Sequence, residues 1–327
     1  MELILAKADG QEERRVWNNL DMETGGENDF ELTVPYAEWD GSIAFDKLLY
    51  IPGTEFGGII KEIETQTSTD TILARGYTWR GYLAHRIIEP PAGSDYKVVS
   101  GELNSVISSL LGSSLGTLFR VSTTSTGKSV SNYQFERYTT LEAGLTKMLA
   151  TKGYKLHIEY KQTETGGYVE LSAVERNDYG DQIEISQDAQ LDFTSHDYRR
   201  GINHLICLGI GELSERVVVH LYADANGAIS QTKSITGLNE IVDVFENTAA
   251  EEDMLIETGI ERFKTLINYK NSEITTQEML QIDADIGDTI TSRDYITGTV
   301  VTKPITRKIL KIEGGIEHIE YKVEDES

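Results

Sequence analysis

Residues 57–86 read Gly57-Gly58-Ile59-Ile60-Lys61-Glu62-Ile63-Glu64-Thr65-Gln66-Thr67-Ser68-Thr69-Asp70-Thr71-Ile72-Leu73-Ala74-Arg75-Gly76-Tyr77-Thr78-Trp79-Arg80-Gly81-Tyr82-Leu83-Ala84-His85-Arg86. Two β-prone runs, 57–64 and 71–77, flank the polar stretch 66–70, the pattern of a hairpin. Trp79, Tyr82 and Leu83 then recur at three- and four-residue spacing, which predicts a short helical turn. Upstream, Phe30, Leu32 and Val34 alternate with polar residues and stop at Pro35, so they predict a strand. Shorter strands are expected at 2–7 and 48–51. The breaker run Glu89-Pro90-Pro91-Ala92-Gly93-Ser94 marks a first domain boundary.

The next segment changes period. Leu103, Val106, Ile107, Leu110 and Leu111 lie at helical spacing before Gly112. The Ser/Thr/Gly-rich stretch 113–131 predicts loop with a short strand, and Tyr133 with Phe135 a further strand. Thr139 and Glu142 form a capping-box pattern ahead of Leu141, Leu145, Met148 and Leu149, and Gly153 closes that helix. Tyr154, Leu156, Ile158 and Tyr160 alternate, and a turn at 163–167 leads into a strand at 168–174. The block 95–185 is therefore expected to be two helices packed on a sheet.

Strands resume at 191–194, 203–208 and 216–222, with Asp224-Ala225-Asn226-Gly227 turning into 228–233. Another is expected at 240–245. Glu251-Glu252 open the longest helix, with Leu255, Gly259, Ile260, Phe263, Leu266 and Ile267 on its buried side. The remainder predicts strands at 273–282, 285–290, 298–302, 305–312 and 316–323, the last two joined across Gly314-Gly315.

The totals agree with a folded, β-rich chain. Its 327 residues suit two or three domains, and 39% hydrophobic with 26% charged residues is globular composition. One cysteine, Cys207, precludes an intrachain disulfide framework and argues against a cysteine zinc site. The first residues carry no basic-then-apolar leader, and no apolar run approaches the ~20 residues of a membrane span. A product folding in a reducing cytosol is expected. Thirty Lys and Arg against 54 Asp and Glu give a net charge of −24, which disfavours nucleic-acid binding. The same charge suits an ordinary acidic surface, or a wall past which DNA slides without sticking.

Five stretches carry a resemblance. They are 57–63, then Ala74-Arg75-Gly76-Tyr77, then Arg86-Ile87-Ile88-Glu89-Pro90-Pro91. Tyr198-Arg199-Arg200-Gly201-Ile202-Asn203-His204-Leu205-Ile206 follows, and Ile286-Gly287-Asp288-Thr289-Ile290 closes the series. Their order resembles phage tail hub and tail-tip proteins, in particular a siphovirus tail-protein family named for a Rhodococcus phage. The resemblance implies an α+β, predominantly β fold with two small tail-tube-like β-barrels plus α/β insertions. It implies a first barrel at 1–90, an α+β domain at 91–189, a second barrel split between 190–238 and 272–327, and a helical insertion at 239–271. It further implies a homotrimer between tail tube or distal tail protein and tip or spike, lining the DNA passage of a virion tail made in a bacterial host.

Catalytic readings are weaker. His196 and His204, near Asp192 and Asp197, are the closest histidine pair. Their spacing matches no helical metal motif, so surface or interface packing is the better reading. His157 and His220 sit in alternating strands and are expected on polar faces. Cys207 lies in an apolar run and reads as a buried thiol. Asp283, Asp285 and Asp288 miss the calcium-loop pattern, since Asp288 stands where glycine is required, and read as solvated turn acids. Glu62 with Glu64, or Glu184 with Asp188, could suggest a glycosidase dyad, but such pairs arise by chance among 54 acids. No phosphate-binding glycine motif is present. The expectation is a structural assembly protein with no catalytic, cofactor or metal residues. A tail-tip cell-wall hydrolase or peptidase and a host-surface carbohydrate binder are the alternatives.

Overall fold

The computed structural model describes residues 2–179, 184–185, 193–198, 200–224, 227–267, 269–274, 284–293, 295–298 and 300–323. It opens with strands β1 (Leu3–Ala6), β2 (Glu12–Val16), β3 (Asn19–Thr24), β4 (Asp29–Pro35), β5 (Leu48–Tyr50), β6 (Gly57–Ile59), β7 (Glu62–Gln66) and β8 (Thr71–Tyr77), then helix α1 (Trp79–Ala84). Next come β9 (Val98–Glu102), α2 (Leu103–Leu111), β10 (Phe119–Val121), β11 (Ser129–Gln134), α3 (Leu141–Ala150), β12 (Tyr154–Thr163), β13 (Gly166–Glu175) and β14 (Glu184–Ile185). Then follow β15 (Phe193–Tyr198), β16 (His204–Leu208), β17 (Val218–Ala223), β18 (Ile229–Ser230), β19 (Val242–Glu246), α4 (Glu252–Lys264) and β20 (Tyr269–Ile274). The chain closes with β21 (Thr289–Arg293), β22 (Val300–Glu313) and β23 (Ile316–Val323). These elements fall into two compact units, one of residues 1–192, 274–292 and 302–327, the other of 193–273 and 293–301.

In the first unit the largest sheet runs β14–β21–β22–β3–β4–β8–β7, with β23 also on β22. A second sheet runs β2–β1–β5–β6. Its middle strand β1 has no polar positions because both faces are covered. Leu3 and Leu5 join one core with Met22, Phe30, Leu32 and Leu310. Ile4 and Ala6 join another with residues of α2, α3, β12 and β13. β5 divides in the same way, Leu49 toward the first core and Leu48 and Tyr50 toward the second. The alternation at β4 is preserved, with Phe30, Leu32 and Val34 buried and their neighbours more open.

The α+β class with β dominant agrees with the sequence. The sheets are open, however, and among the described residues none closes into a barrel. Three local expectations change. The run 57–64 is two strands, because it switches sheets at Ile60: β6 pairs with β5, and β7 pairs with β8. The strands expected at 298–302 and 305–312 are one, β22, which continues through Pro304 and pairs with β21, β3 and β23. The first helical cap of α3 is Thr140, whose hydroxyl accepts the Ala143 N–H at 3.1 Å. The expected capping residue Thr139 lies one position too early, and Glu142 is engaged elsewhere. The strand predicted at 273–282 falls mostly outside the described residues. Because β22 pairs with β3, the compact units cut the chain differently from the bounds read in the sequence.

The second unit has the sheet β18–β17–β16–β19, with β16 and β19 parallel. α4 packs on one face through Leu255 and Phe263, against Leu205, Cys207, Val219 and Leu221. Gly259 is required there: a Cβ would stand 2.7 Å from Cys207 Sγ. Among the described residues no helix is long and apolar enough to cross a membrane.

Candidate functional site

The polar chemistry of the first unit is concentrated inside it. α1 starts at the cap Thr78, whose hydroxyl accepts the Gly81 N–H at 3.3 Å. Its Trp79 and Leu83 enter the core, and so does Arg80, at 1% exposure. The guanidinium meets Glu55 at 2.9 Å and Glu142 at 3.3 Å, and donates to the Leu156 carbonyl at 3.4 Å. Thr24 in turn donates to the other oxygen of Glu55 at 2.5 Å. Burial opposes the Arg80 charge, but Glu55 and Glu142 outweigh it and hold its pKa above the ordinary arginine range. Among the described residues five buried side-chain polar atoms have no partner, and Arg80 Nε and Trp79 Nε1 of α1 are two of them.

A second cluster forms around the turn 285–288. Asp288 is fully buried. One of its oxygens accepts from Lys155 Nζ at 2.6 Å and from the Asp285 N–H at 2.8 Å. The other accepts the Asn177 N–H at 2.8 Å. Gly287 N–H donates to Ile305 O at 2.8 Å, and Ile305 N–H returns to Asp288 O at 2.7 Å. Gly287 has φ +95°, and a Cβ there would lie 2.7 Å from that of Lys155, so glycine is required on two counts. Asp285 is paired with His157 at 2.8 Å and Lys308 at 3.3 Å. Burial would raise its pKa, but the His157 hydrogen bond, Lys308 and Lys155 carry it well below the usual carboxylate range. His157 moves upward, chiefly through its hydrogen bond to Asp285.

The expected solvated turn acids are therefore wrong for Asp285 and Asp288. The turn is real, with Asp288 N–H on Asp285 O at 3.0 Å, but its acids point inward because two lysines and a histidine from other strands meet them there. Asp283 lies outside the described residues.

Glu55, Glu142, Asp285 and Asp288 face Arg80, Lys155, Lys308 and His157. A cleft of about 680 Å³ borders the network and is lined by Glu55, Phe56, Lys155, His157, Asp285 and Lys308. The charges in it already answer one another. His157 faces carboxylates at both ring nitrogens, Asp285 at 2.8 Å and Glu159 at 3.6 Å. What the arrangement does chemically is fasten segments far apart in sequence: 24, 55, 80, 142, 155–157, 177, 285–288 and 308.

The remaining candidates separate as follows. His196 is on β15, but its side chain, that of Asp197, and residue Asp192 lie outside what the structure describes. The partner of His204 is His220, at 2.8 Å, a cross-strand diagonal pair that spacing along one strand could not disclose. Cys207 is buried, and burial pushes its thiol up to about 11. Glu62 and Glu64 both bind Arg75, at 2.7 and 2.5 Å, and Glu31 joins them at 2.6 Å, so they are one arginine's counter-ions and not a dyad. Asp188 and the side chain of Glu184 are outside the described residues. Among the described residues no group of three or more His, Cys, Asp or Glu is placed to hold a metal ion. Sequence reading missed Arg80, Lys155 and Lys308; a charged residue between core positions was their only signal.

No protein-family model matches the chain, and no curated protein matches it. Solved structures do. The 43 kDa tail protein of prophage MuSo2 from Shewanella oneidensis matches with TM-score 0.54 and 13% identity, over 100% of this chain and 99% of that one. The chain has the fold of phage tail proteins. A chain of the phage P2 baseplate in its activated conformation matches with TM-score 0.53 and 9% identity, over 99% and 98%. Prophage tail protein gp18 from Listeria monocytogenes EGD-e matches with TM-score 0.51 and 11% identity, over 100% and 96%. The tail-protein fold is thus shared across the whole chain while nearly all side chains differ.

Proposed function

We propose that this chain is a structural hub of a phage or prophage tail. It joins the tail tube to the tip or spike as a homotrimer around the DNA passage, without turnover. The observation that carries the reading is the end-to-end match to tail proteins. The interior is compatible with it, since among the described residues the buried charged groups of the first unit pair with one another. Within this reading the five sequence stretches that resemble siphovirus tail proteins belong to the hub, and the open sheets of each chain contribute to the ring. The net charge of −24 keeps passing DNA from adsorbing.

Light scattering and electron microscopy of the purified chain, alone and mixed with the tube and tip proteins of the same phage or prophage, test the proposal. A three-fold ring, formed alone or on mixing, is expected. A persistent monomer that clears cell walls in a zymogram points to a hydrolase, and one that binds host-surface glycans points to a receptor-binding role; either result overturns the hub.

A further inference from the structure

The face of the second unit's sheet that α4 does not cover carries two histidines in contact. Register pairs Ile206 with His220 and His204 with Tyr222. Because Leu205, Cys207, Val219 and Leu221 turn toward α4, His204, His220 and Tyr222 share the opposite face. His204 Nε2 is 2.8 Å from His220 Nδ1. The other nitrogen of His204, Nδ1, is 2.8 Å from Glu240 Oε1, and Lys233 Nζ holds the same carboxylate at 2.7 Å. Tyr222 stacks on the His204 ring at 4.4 Å, which limits its rotation.

The hydrogen positions follow from this geometry. An ionised carboxylate only accepts, so His204 Nδ1 carries a hydrogen and neutral His204 presents a lone pair at Nε2. One proton lies between that atom and His220 Nδ1. Two imidazole nitrogens close together, one of them on a ring backed by a carboxylate, are the donors by which metal-binding histidines hold an ion. His204 is buried and His220 exposed, so an ion from solvent reaches the gap.

We propose that His204 and His220 form a two-nitrogen site for a divalent transition metal of the copper, nickel or zinc class. The ion takes the place of the shared proton, which moves through solvent to His220 Nε2 so that both rings stay neutral, and water fills the remaining positions. With metal–nitrogen bonds of about 2.0–2.1 Å, two nitrogens at a right angle stand ~2.9 Å apart and two at a tetrahedral angle ~3.3 Å. The observed spacing fits the right angle preferred by Cu2+ and Ni2+, once both rings turn their nitrogens off the line that joins them to meet the ion. Residues 234–261 contain eight acids and no Lys or Arg, which raises the local cation concentration. Glu240 is the positioning residue and touches no metal.

The test is titration of the full chain with Cu2+ or Zn2+ alone, followed by calorimetry, with histidine-ring NMR in the Zn2+ experiment. One tight equivalent per chain is expected, with the His204 and His220 ring signals moving before those of the other four histidines. His220→Gln, at an exposed position, is expected to weaken that equivalent at least ~10-fold, with the metal-free thermal midpoint retained. Glu240→Gln is expected to weaken it by about 10-fold with both rings still responding. Mg2+ and Ca2+, which prefer oxygen, are expected not to compete. Absence of a tight equivalent, its survival in His220→Gln, or earlier movement of other histidines overturns the site.

Discussion

Lys155 Nζ lies 2.6 Å from Asp288 Oδ2, although the two residues are 133 positions apart in the chain, and both are buried. The pair ties β12 to the turn that feeds β21, through a carboxylate that also accepts backbone N–H groups of Asp285 and Asn177. Removing one partner leaves the other charged in a place water does not reach.

Asp288→Ala is therefore expected to cost about 3–5 kcal/mol, the usual penalty of orphaning one member of a buried ion pair. Replacing both members by apolar residues, Lys155→Met with Asp288→Leu, should cost clearly less than the single change. Urea-unfolding midpoints of the three variants check this. Equal losses for single and double variants would show that the backbone acceptor role of Asp288 dominates.

The His157–Asp285 pair makes stability depend on pH in two directions. The pKa of His157 is raised from 6.5, so its contribution is complete below 6.5 and disappears as pH climbs through the folded value. Asp285 is depressed from 3.8, so its contribution is present above 3.8 and is lost as pH falls through the folded value. Thermal midpoints of wild type and His157→Gln should differ most between those limits and converge on the alkaline side. A gap that stays constant up to pH 9 would rule out the charged-histidine account.

Thr140 and Thr139 are adjacent threonines with different duties. Thr140→Ala removes the hydroxyl that accepts the Ala143 N–H and is expected to cost ~1 kcal/mol. Thr139→Ala should change stability by only a few tenths of that. Calorimetric melts of the two variants decide between them, and the opposite ranking would return the cap to Thr139.

Gly259 and Cys207 form a tight crossing of α4 over β16. Gly259→Ala places a methyl 2.7 Å from the sulfur and is expected to destabilise by about 1–3 kcal/mol through overpacking. Adding Cys207→Ala should recover much of the loss. The same burial predicts that Cys207 in the wild type stays unreactive to a thiol reagent until the second unit opens, which absorbance kinetics will show.

Much of the local structure can be read directly from residue periodicity. Phe30, Leu32 and Val34 announce β4, and Leu103, Val106, Ile107 and Leu111 announce α2, because one face of each element is buried and the other is not. β1 gives no such rhythm, since Leu3-Ile4-Leu5-Ala6 is covered on both sides. The sheet switch at Ile60 and the passage of β22 through Pro304 depend on strands elsewhere in the chain, which no local pattern describes. The charge network escaped for the same reason. Arg80 looks like the polar side of a short helix until Glu55 and Glu142 are brought to it, and Asp285 and Asp288 look solvated until Lys155, His157 and Lys308 arrive. The histidine pair of β16 and β17 required register, which adjacent positions in one strand do not supply.

The pairing of β22 with β3 bears on biosynthesis. Leu20 through Thr24 find their neighbours at Lys308 through Ile312, and Asn19 caps Gly314 from 295 positions away. A nascent chain leaving the ribosome carries β3 with one hydrogen-bonding edge vacant until residues 308–312 have been made. That edge is therefore open to wrong strand partners until β22 has been translated. Slow closure of the loop between β3 and β22 is expected from that single strand pair.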